Sequence, residues 1–245
     1  TPGISSAASD VYKRQGKAEE GLVIERRFTS AGEDPFGKFD WIEMDAEIRN
    51  PDGSMAESIT GVKLPSGYSG VPGKVLAQKY LRKAGVPAHL RKVAEEGVPV
   101  WLQRSEPDHE KLESLKAEER FTGERDGREV FRRLAGTWTY WGWKHGYFAS
   151  EADARSYFDE MCYLVASQRS APNSPQWFNT GLFWAYGIEG PAQGHTYIDP
   201  LTGELEYSVN AYEHPQPHAC FIQSGGDSLV GGRASIICLL YTSDA

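Results

Sequence analysis

The stretch PQPHACFIQ, from Pro215 to Gln223, decides which fold the C-terminal part of the chain is expected to adopt. Its short apolar run, residues 219–222, follows two prolines and precedes the glycine pair at 225–226. A continuous apolar run bounded by turn-forming residues is typical of a buried β-strand entered from a rigid loop. The pattern therefore predicts that Cys220 lies at the mouth of a strand, where its side chain can face a cavity.

The residues alone leave other interpretations of Cys220 open. A free cysteine usually packs in the core as a small hydrophobic side chain, and this stretch in isolation favours that interpretation. His214 and His218 also allow a metal site with Cys220. A structural zinc needs a fourth ligand, which the intervening prolines do not supply, so no metal ligand is assigned.

The composition excludes several classes of protein. The 245 residues carry a formal net charge of −8, so no basic field attracts a nucleic-acid backbone. No apolar run approaches the length of a membrane span. The three cysteines do not form a secreted disulfide framework. We therefore expect a cytoplasmic protein that binds neither nucleic acid nor membrane.

The two ends differ from the rest of the chain. Ser5–Gln15 (SSAASDVYKRQ) and Cys238–Ala245 (CLLYTSDA) resemble translated sequencing-adapter read-through. We therefore expect residues 1–15 and 236–245 to be artefactual and to make few contacts with the rest of the chain. Cys238, which lies in the second of these segments, is accordingly not counted as a functional cysteine.

The first half of the chain shows strand and helix signals. Alternation of apolar and charged residues over Phe39–Arg49 predicts a half-buried strand. Asn50–Gly53 predicts a turn, and Met55–Val62 a second strand that completes a hairpin. Gly67–Gly73 is predicted to be a loop, and Lys74–Ala84 a helix that ends at the following glycine.

The middle of the chain is predicted to be mainly helical. The charged stretch Ser105–Arg128 indicates a solvated helix and loops. A further helix opens at Glu129–Leu134 and leads into the aromatic segment 137–143. This segment could form a stacking platform for a ligand, but a hydrophobic anchor is favoured, because aromatic rings dominate core energetics. Ser150 predicts the N-cap of the next helix, in which Cys162 is structural.

The stretch NSPQWFNTG, residues 173–181, predicts a short helix. Ser174 is predicted to be an N-cap, Pro175 the first helical residue, and Gly181 the terminator. A helix N-terminus offers free backbone N–H groups that suit a phosphate, although a capped helix without a ligand is the commoner reason for such a pattern.

Several long blocks, in order along the chain, resemble the vitamin B12-dependent class II ribonucleotide reductases. They are LAQKYLRKAGVP (76–87), GTWTYWGWK (136–144), NSPQWFNTG (173–181), LFWAYGIEG (182–190) and YEHPQPHACFIQ (212–223). The resemblance implies an α/β fold: a mainly helical region with a small β-hairpin over residues 16–170. Residues 171–235 then begin a ten-stranded α/β catalytic barrel, with Cys220 on its first strand.

The resemblance also implies roles for individual residues. In that family the residue matching Ser174 contacts the phosphate-bearing end of the substrate, and the residue matching Ala219 adds a backbone contact. The cysteine matching Cys220 is one of two thiols that reduce the ribose. Asp227 resembles the start of the site that senses a deoxynucleotide effector.

The reaction implied is the conversion of ribonucleoside di- or triphosphates to deoxyribonucleotides. Adenosylcobalamin initiates a thiyl radical, a thioredoxin-type reductant resets the cysteine pair, and the enzyme forms a homodimer. The thiyl cysteine, the partner of Cys220 and the cobalamin contacts lie beyond this sequence, so the fragment alone is expected to be inactive. The alternative function is a non-catalytic helical binding module with an aromatic surface for a ligand or partner.

Overall fold

The computed structural model describes residues 21–49, 55–192, 194, 196–199 and 202–215. Within these ranges the strands pair as four separate two-stranded sheets. The elements in chain order are β1 (Trp41–Arg49), β2 (Met55–Pro65), α1 (Val71–Val75), β3 (Val86–Pro87), β4 (Leu90–Lys92), β5 (Ser105–Pro107), α2 (His109–Glu113), β6 (Phe121–Thr122), α3 (Gly127–Lys144), α4 (Glu151–Ala166), α5 (Ser174–Asn179), α6 (Leu182–Tyr186), β7 (Thr196–Ile198) and β8 (Leu205–Tyr207).

The predicted hairpin is confirmed as β1 and β2, which pair antiparallel with Ile42 opposite Leu64. Glu43, Asp45 and Glu47 on β1 face solvent, while Ala46 between them is fully buried. Strand β2 contributes Ile59 and Val62 to the same buried face. The period-2 pattern therefore identified the correct inner face. The predicted turn at 50–53 lies outside the described residues.

The chain after the hairpin corrects two predictions. The predicted loop at 67–73 is largely helical, since a 3₁₀ turn at Ser66–Tyr68 precedes α1. Pro72 favours this early start, because proline is pre-organised for the first turn of a helix. The predicted end at Gly85 is wrong as well. A π-helical turn, Leu76–Tyr80, continues α1, and the chain becomes extended at Leu81.

Two long helices form the centre of the fold, and both begin at side-chain caps. Asp126 caps α3 in a full capping box with Glu129. Ser150 caps α4 by accepting a hydrogen bond from the backbone N–H of Asp153, as the sequence predicted. The apolar faces of both helices pack into one core with the β1–β2 hairpin. This core fixes the positions of the shorter helices that follow.

Cys162 and the aromatic segment both belong to this core region. Cys162 is 0% exposed, and burial raises the pKa of its thiol well above the ordinary value, which confirms its structural role. Trp138 is half-buried and packs against the core, and Trp143 Nε1 donates to the Gly97 carbonyl at 2.6 Å. These contacts favour the anchor interpretation of segment 137–143.

The described part of the chain ends in the β7–β8 hairpin and the loop after it. The predicted strand at Cys220 and the ten-stranded barrel lie outside the described residues, as do the two adapter-like ends. Among the helices described, none combines the length and apolarity required to cross a membrane.

Candidate substrate-binding site

The structure places Ser174 differently from the sequence prediction. Asn173, not Ser174, is the N-cap of α5, and its side chain accepts a hydrogen bond from the Gln176 N–H at 3.3 Å. Ser174 is therefore the first helical residue, and Pro175 the second. Asn and Ser are about equally good N-caps, and proline is accepted throughout the first turn, so the sequence alone could not separate the two registers.

This shift changes what the start of α5 can offer a ligand. The helix has six residues, Pro175 has no N–H, and the Gln176 N–H is already bonded to Asn173. Few backbone donors therefore remain, and a helix this short has little dipole. The Ser174 side chain, however, is released from capping. Its hydroxyl lies 3.1 Å from the hydroxyl of Tyr80 in a hydrogen bond.

Tyr80 reaches Ser174 from the end of the π-helical turn. Its ring stacks on Trp177 with 5.4 Å between centroids and 19° between planes. It also packs at a 44° tilt against Phe178, 5.5 Å away. Tyr80 is half-buried, and Phe178 is 43% exposed. The hydroxyl pair therefore lies at the boundary between the core and the surface.

A buried ion pair underlies this corner of the fold. Arg133 is 1% exposed and Glu124 is 0% exposed, and Arg133 Nε donates to Glu124 Oε1 at 2.7 Å. The Nη groups bind carbonyls at the end of α5, with Nη1 on the Thr180 carbonyl at 2.7 Å and Nη2 on the Trp177 carbonyl at 2.9 Å, and Nη2 also donates to Glu124 Oε2 at 3.3 Å. Nη2 also lies 3.3 Å from the Tyr80 carbonyl. Arg133 thus satisfies carbonyls at the end of α5 that have no partner within the helix.

Glu124 is the acceptor that makes this buried arginine tolerable. Its Oε2 accepts the Arg82 N–H at 2.7 Å, and its Oε1 accepts the Tyr186 hydroxyl at 2.7 Å. Burial, reinforced by the Glu124 carboxylate, raises the pKa of the Tyr186 phenol well above its ordinary value. The Glu124 carboxylate thereby connects three parts of the fold, namely the Arg82 segment, α3 and α6. The bond to the Arg82 N–H holds the chain directly after Leu81, where it becomes extended.

The sequence prediction missed both members of this pair. Glu124 falls in the charged stretch that was assigned to solvent. Arg133 carries a usable signal, because it lies three residues after Val130 and four before Thr137, a spacing that places it on the buried side of α3. An arginine on such a face predicts a buried acidic partner.

Gly181 ends α5 as predicted. It adopts φ +89°, the left-handed conformation that glycine accepts most readily after a helix. A Cβ atom at this position would lie 2.4 Å from the Arg133 carbonyl oxygen. The glycine therefore lets α5 approach α3 closely enough for the Arg133 side chain to reach it.

The other predicted site residues are not brought together in the described part of the chain. Ala219, Cys220 and Asp227 lie outside the described residues, as does His218 of the metal alternative. His214 is described, and its ring stacks on Tyr197 with 4.0 Å between centroids. The described half of the candidate site is therefore Ser174, its partner Tyr80 and the ion pair behind them.

Comparisons with known proteins show the family to which the chain belongs. Residues 43–168 match the family model described as class II vitamin B12-dependent ribonucleotide reductase. The chain therefore belongs to that family. It is similar to the vitamin B12-dependent ribonucleotide reductase of Bradyrhizobium diazoefficiens, with 58% identity over 209 residues, which cover 85% of this chain and 17% of that protein.

Two further relatives carry the same name. The protein of Agrobacterium fabrum is 56% identical over 209 residues, covering 85% of this chain and 16% of the relative. That of Rhodopirellula baltica is 28% identical over 210 residues, covering 85% of this chain and 17% of the relative. The chain thus spans only about a sixth of the length of these relatives.

Proposed function

We propose that the chain is the N-terminal part of an adenosylcobalamin-dependent ribonucleoside-diphosphate reductase that makes deoxyribonucleotides. The observation that carries this proposal is the 58% identity over 85% of the chain to a vitamin B12-dependent ribonucleotide reductase. The alternative, a binding module with an aromatic surface, is less favoured, because Trp138 packs against the core.

Within the proposed enzyme, Ser174 binds the phosphate-bearing end of the substrate through its hydroxyl, and Ala219 adds a backbone contact. Cys220 and a second cysteine supply two electrons and two protons. The ribose 2′-hydroxyl leaves as water, a hydrogen takes its place on carbon, and the two thiols become a disulfide. A thioredoxin-type reductant restores the thiols by exchange. Asp227 contributes to the site for a deoxynucleotide effector in a homodimer.

Adenosylcobalamin supplies the radical that starts the reaction, but the described residues do not fit this cofactor. A cleft of about 670 Å³ lies beside α4, of the size that suits a drug-sized ligand. Its lining includes the charged side chains of Asp34, Arg132, Arg155 and Asp159, whereas cofactor sites are lined mainly by apolar and aromatic side chains. We therefore assign no described residue to cobalamin.

The proposal predicts activity only in the context of a longer enzyme. The test is a chimera in which the matching 209-residue segment of the Bradyrhizobium diazoefficiens enzyme is replaced by that of this chain. With adenosylcobalamin and a dithiol, the chimera should form deoxynucleotide from CDP or CTP, and the 245-residue chain alone should form none. A folded but inactive chimera, or turnover by the chain alone, would contradict the proposal.

A further inference from the structure

We infer that Tyr80 is a positioning residue of the substrate site, whose hydroxyl holds the Ser174 hydroxyl in the direction of the nucleotide phosphate. The inference rests on the proposed function, since it assumes that Ser174 binds that phosphate. It adds a residue that lies 94 positions away in the sequence and is brought to Ser174 only by the fold.

The chemistry of the hydroxyl pair supports this role. Two hydroxyl groups carry two protons, and the single hydrogen bond between them, 3.1 Å long, uses only one. When Tyr80 donates to Ser174 Oγ, the serine proton is directed elsewhere and is available to an acceptor such as a phosphate oxygen. A serine hydroxyl otherwise rotates freely, whereas a phenolic hydroxyl follows its ring. In such a chain of hydrogen bonds, the first bond also polarises the second.

Tyr80 is itself held firmly by its neighbours. Its ring is fixed by the stack on Trp177 and the contact with Phe178. Its backbone carbonyl accepts from Arg133, the same guanidinium that binds the end of α5. Tyr80 and Ser174 are thus tied to one buried group, and their relative position is set by the fold rather than by the hydroxyl bond alone.

The local backbone at Tyr80 also supports a role in the site. Tyr80 ends a π-helical turn in which the Leu81 N–H bonds to the Leu76 carbonyl at 3.0 Å. Such a turn shifts the residues that follow out of the regular α-helical register, and π turns are found frequently at functional sites. The ring could stack on Trp177 without any hydroxyl group. The hydroxyl is therefore the part of Tyr80 that a purely structural role leaves unexplained.

The test removes only this hydroxyl group. In the chimera, Tyr80→Phe keeps the ring stack but releases the Ser174 hydroxyl. We expect the KM for CDP to rise roughly threefold to tenfold, the range of one hydrogen bond, with kcat little changed. The dissociation constant for CDP, measured without cobalamin by equilibrium dialysis, should rise by the same factor. In Ser174→Ala, the further change Tyr80→Phe should have no added effect, because the two residues act as one unit.

A matched control separates positioning from folding. Tyr68→Phe also removes a tyrosine hydroxyl, one that donates to the Val165 carbonyl at 2.9 Å in the core. It should lower thermal stability at least as much as Tyr80→Phe while leaving the KM unchanged. An unchanged KM in Tyr80→Phe, or additive effects in the double variant, would overturn the inference. Failure of Ser174→Ala to alter the KM would instead refute the role of Ser174 in the proposed function.

Discussion

Replacement of Arg133 by methionine is expected to lower the free energy of unfolding of the chain by about 3–5 kcal/mol, the usual effect of breaking a buried ion pair. Methionine fills much of the space of the arginine side chain but donates no hydrogen bonds. Glu124 would remain 0% exposed without its cation. The carbonyls of Trp177 and Thr180 would also lose their donor. Urea unfolding followed by far-ultraviolet circular dichroism measures the change.

A surface ion pair provides the control for this prediction. Arg91 contacts Glu106, but its side chain is 62% exposed. Arg91→Met should therefore change the free energy of unfolding by less than about 1 kcal/mol. The double variant Arg133→Met/Glu124→Leu should recover part of the loss, because no uncompensated charge remains buried. A loss in Arg133→Met no larger than that in Arg91→Met would show that the pair does not support this corner of the fold.

Replacement of Cys220 by serine is expected to abolish multiple turnover of the chimera with a thioredoxin-type reductant. Serine cannot form the disulfide through which the proposed enzyme is re-reduced. The measurement is deoxynucleotide formed per enzyme over many cycles at saturating substrate.

Cys162 is the matched control, because it is the cysteine that the structure buries in the core. Cys162→Ala should retain turnover at temperatures where the chimera stays folded. Full multiple turnover in Cys220→Ser would exclude the redox role of Cys220, whatever the fold around it.

The elements that the sequence predicted correctly depend on short-range patterns. The β1–β2 hairpin follows from the alternation of residues 41–49, and α4 from the cap at Ser150 and the helical spacing after it. Cys162 was assigned correctly because it lies beside the apolar face of that helix. In each case the residues that carry the signal lie close together in the sequence, within one hairpin or one helix.

The elements that the sequence did not predict depend on contacts between distant segments. Glu124 looks solvated in its charged neighbourhood, and only the approach of α3, α6 and the Arg82 segment makes it a buried acceptor. The Tyr80–Ser174 bond likewise needs the π-helical turn and α5 side by side. The choice of Asn173 as cap was beyond sequence reasoning, because both candidate residues cap helices well.

The central claim is that Ser174 and Cys220 serve one nucleotide, and a crystal structure of the chimera with bound CDP tests it most directly. The two residues are 46 positions apart, from 174 to 220. A nucleoside diphosphate is on the order of 10 Å long, about three residues of extended chain. We expect Ser174 Oγ and Cys220 Sγ to lie within roughly that distance of each other in one cavity, with the phosphate at Ser174 and the ribose at Cys220. The central claim would be contradicted if the Cys220 side chain packed in an apolar core and Ser174 lay on the far side of the sheet that contains the Cys220 strand.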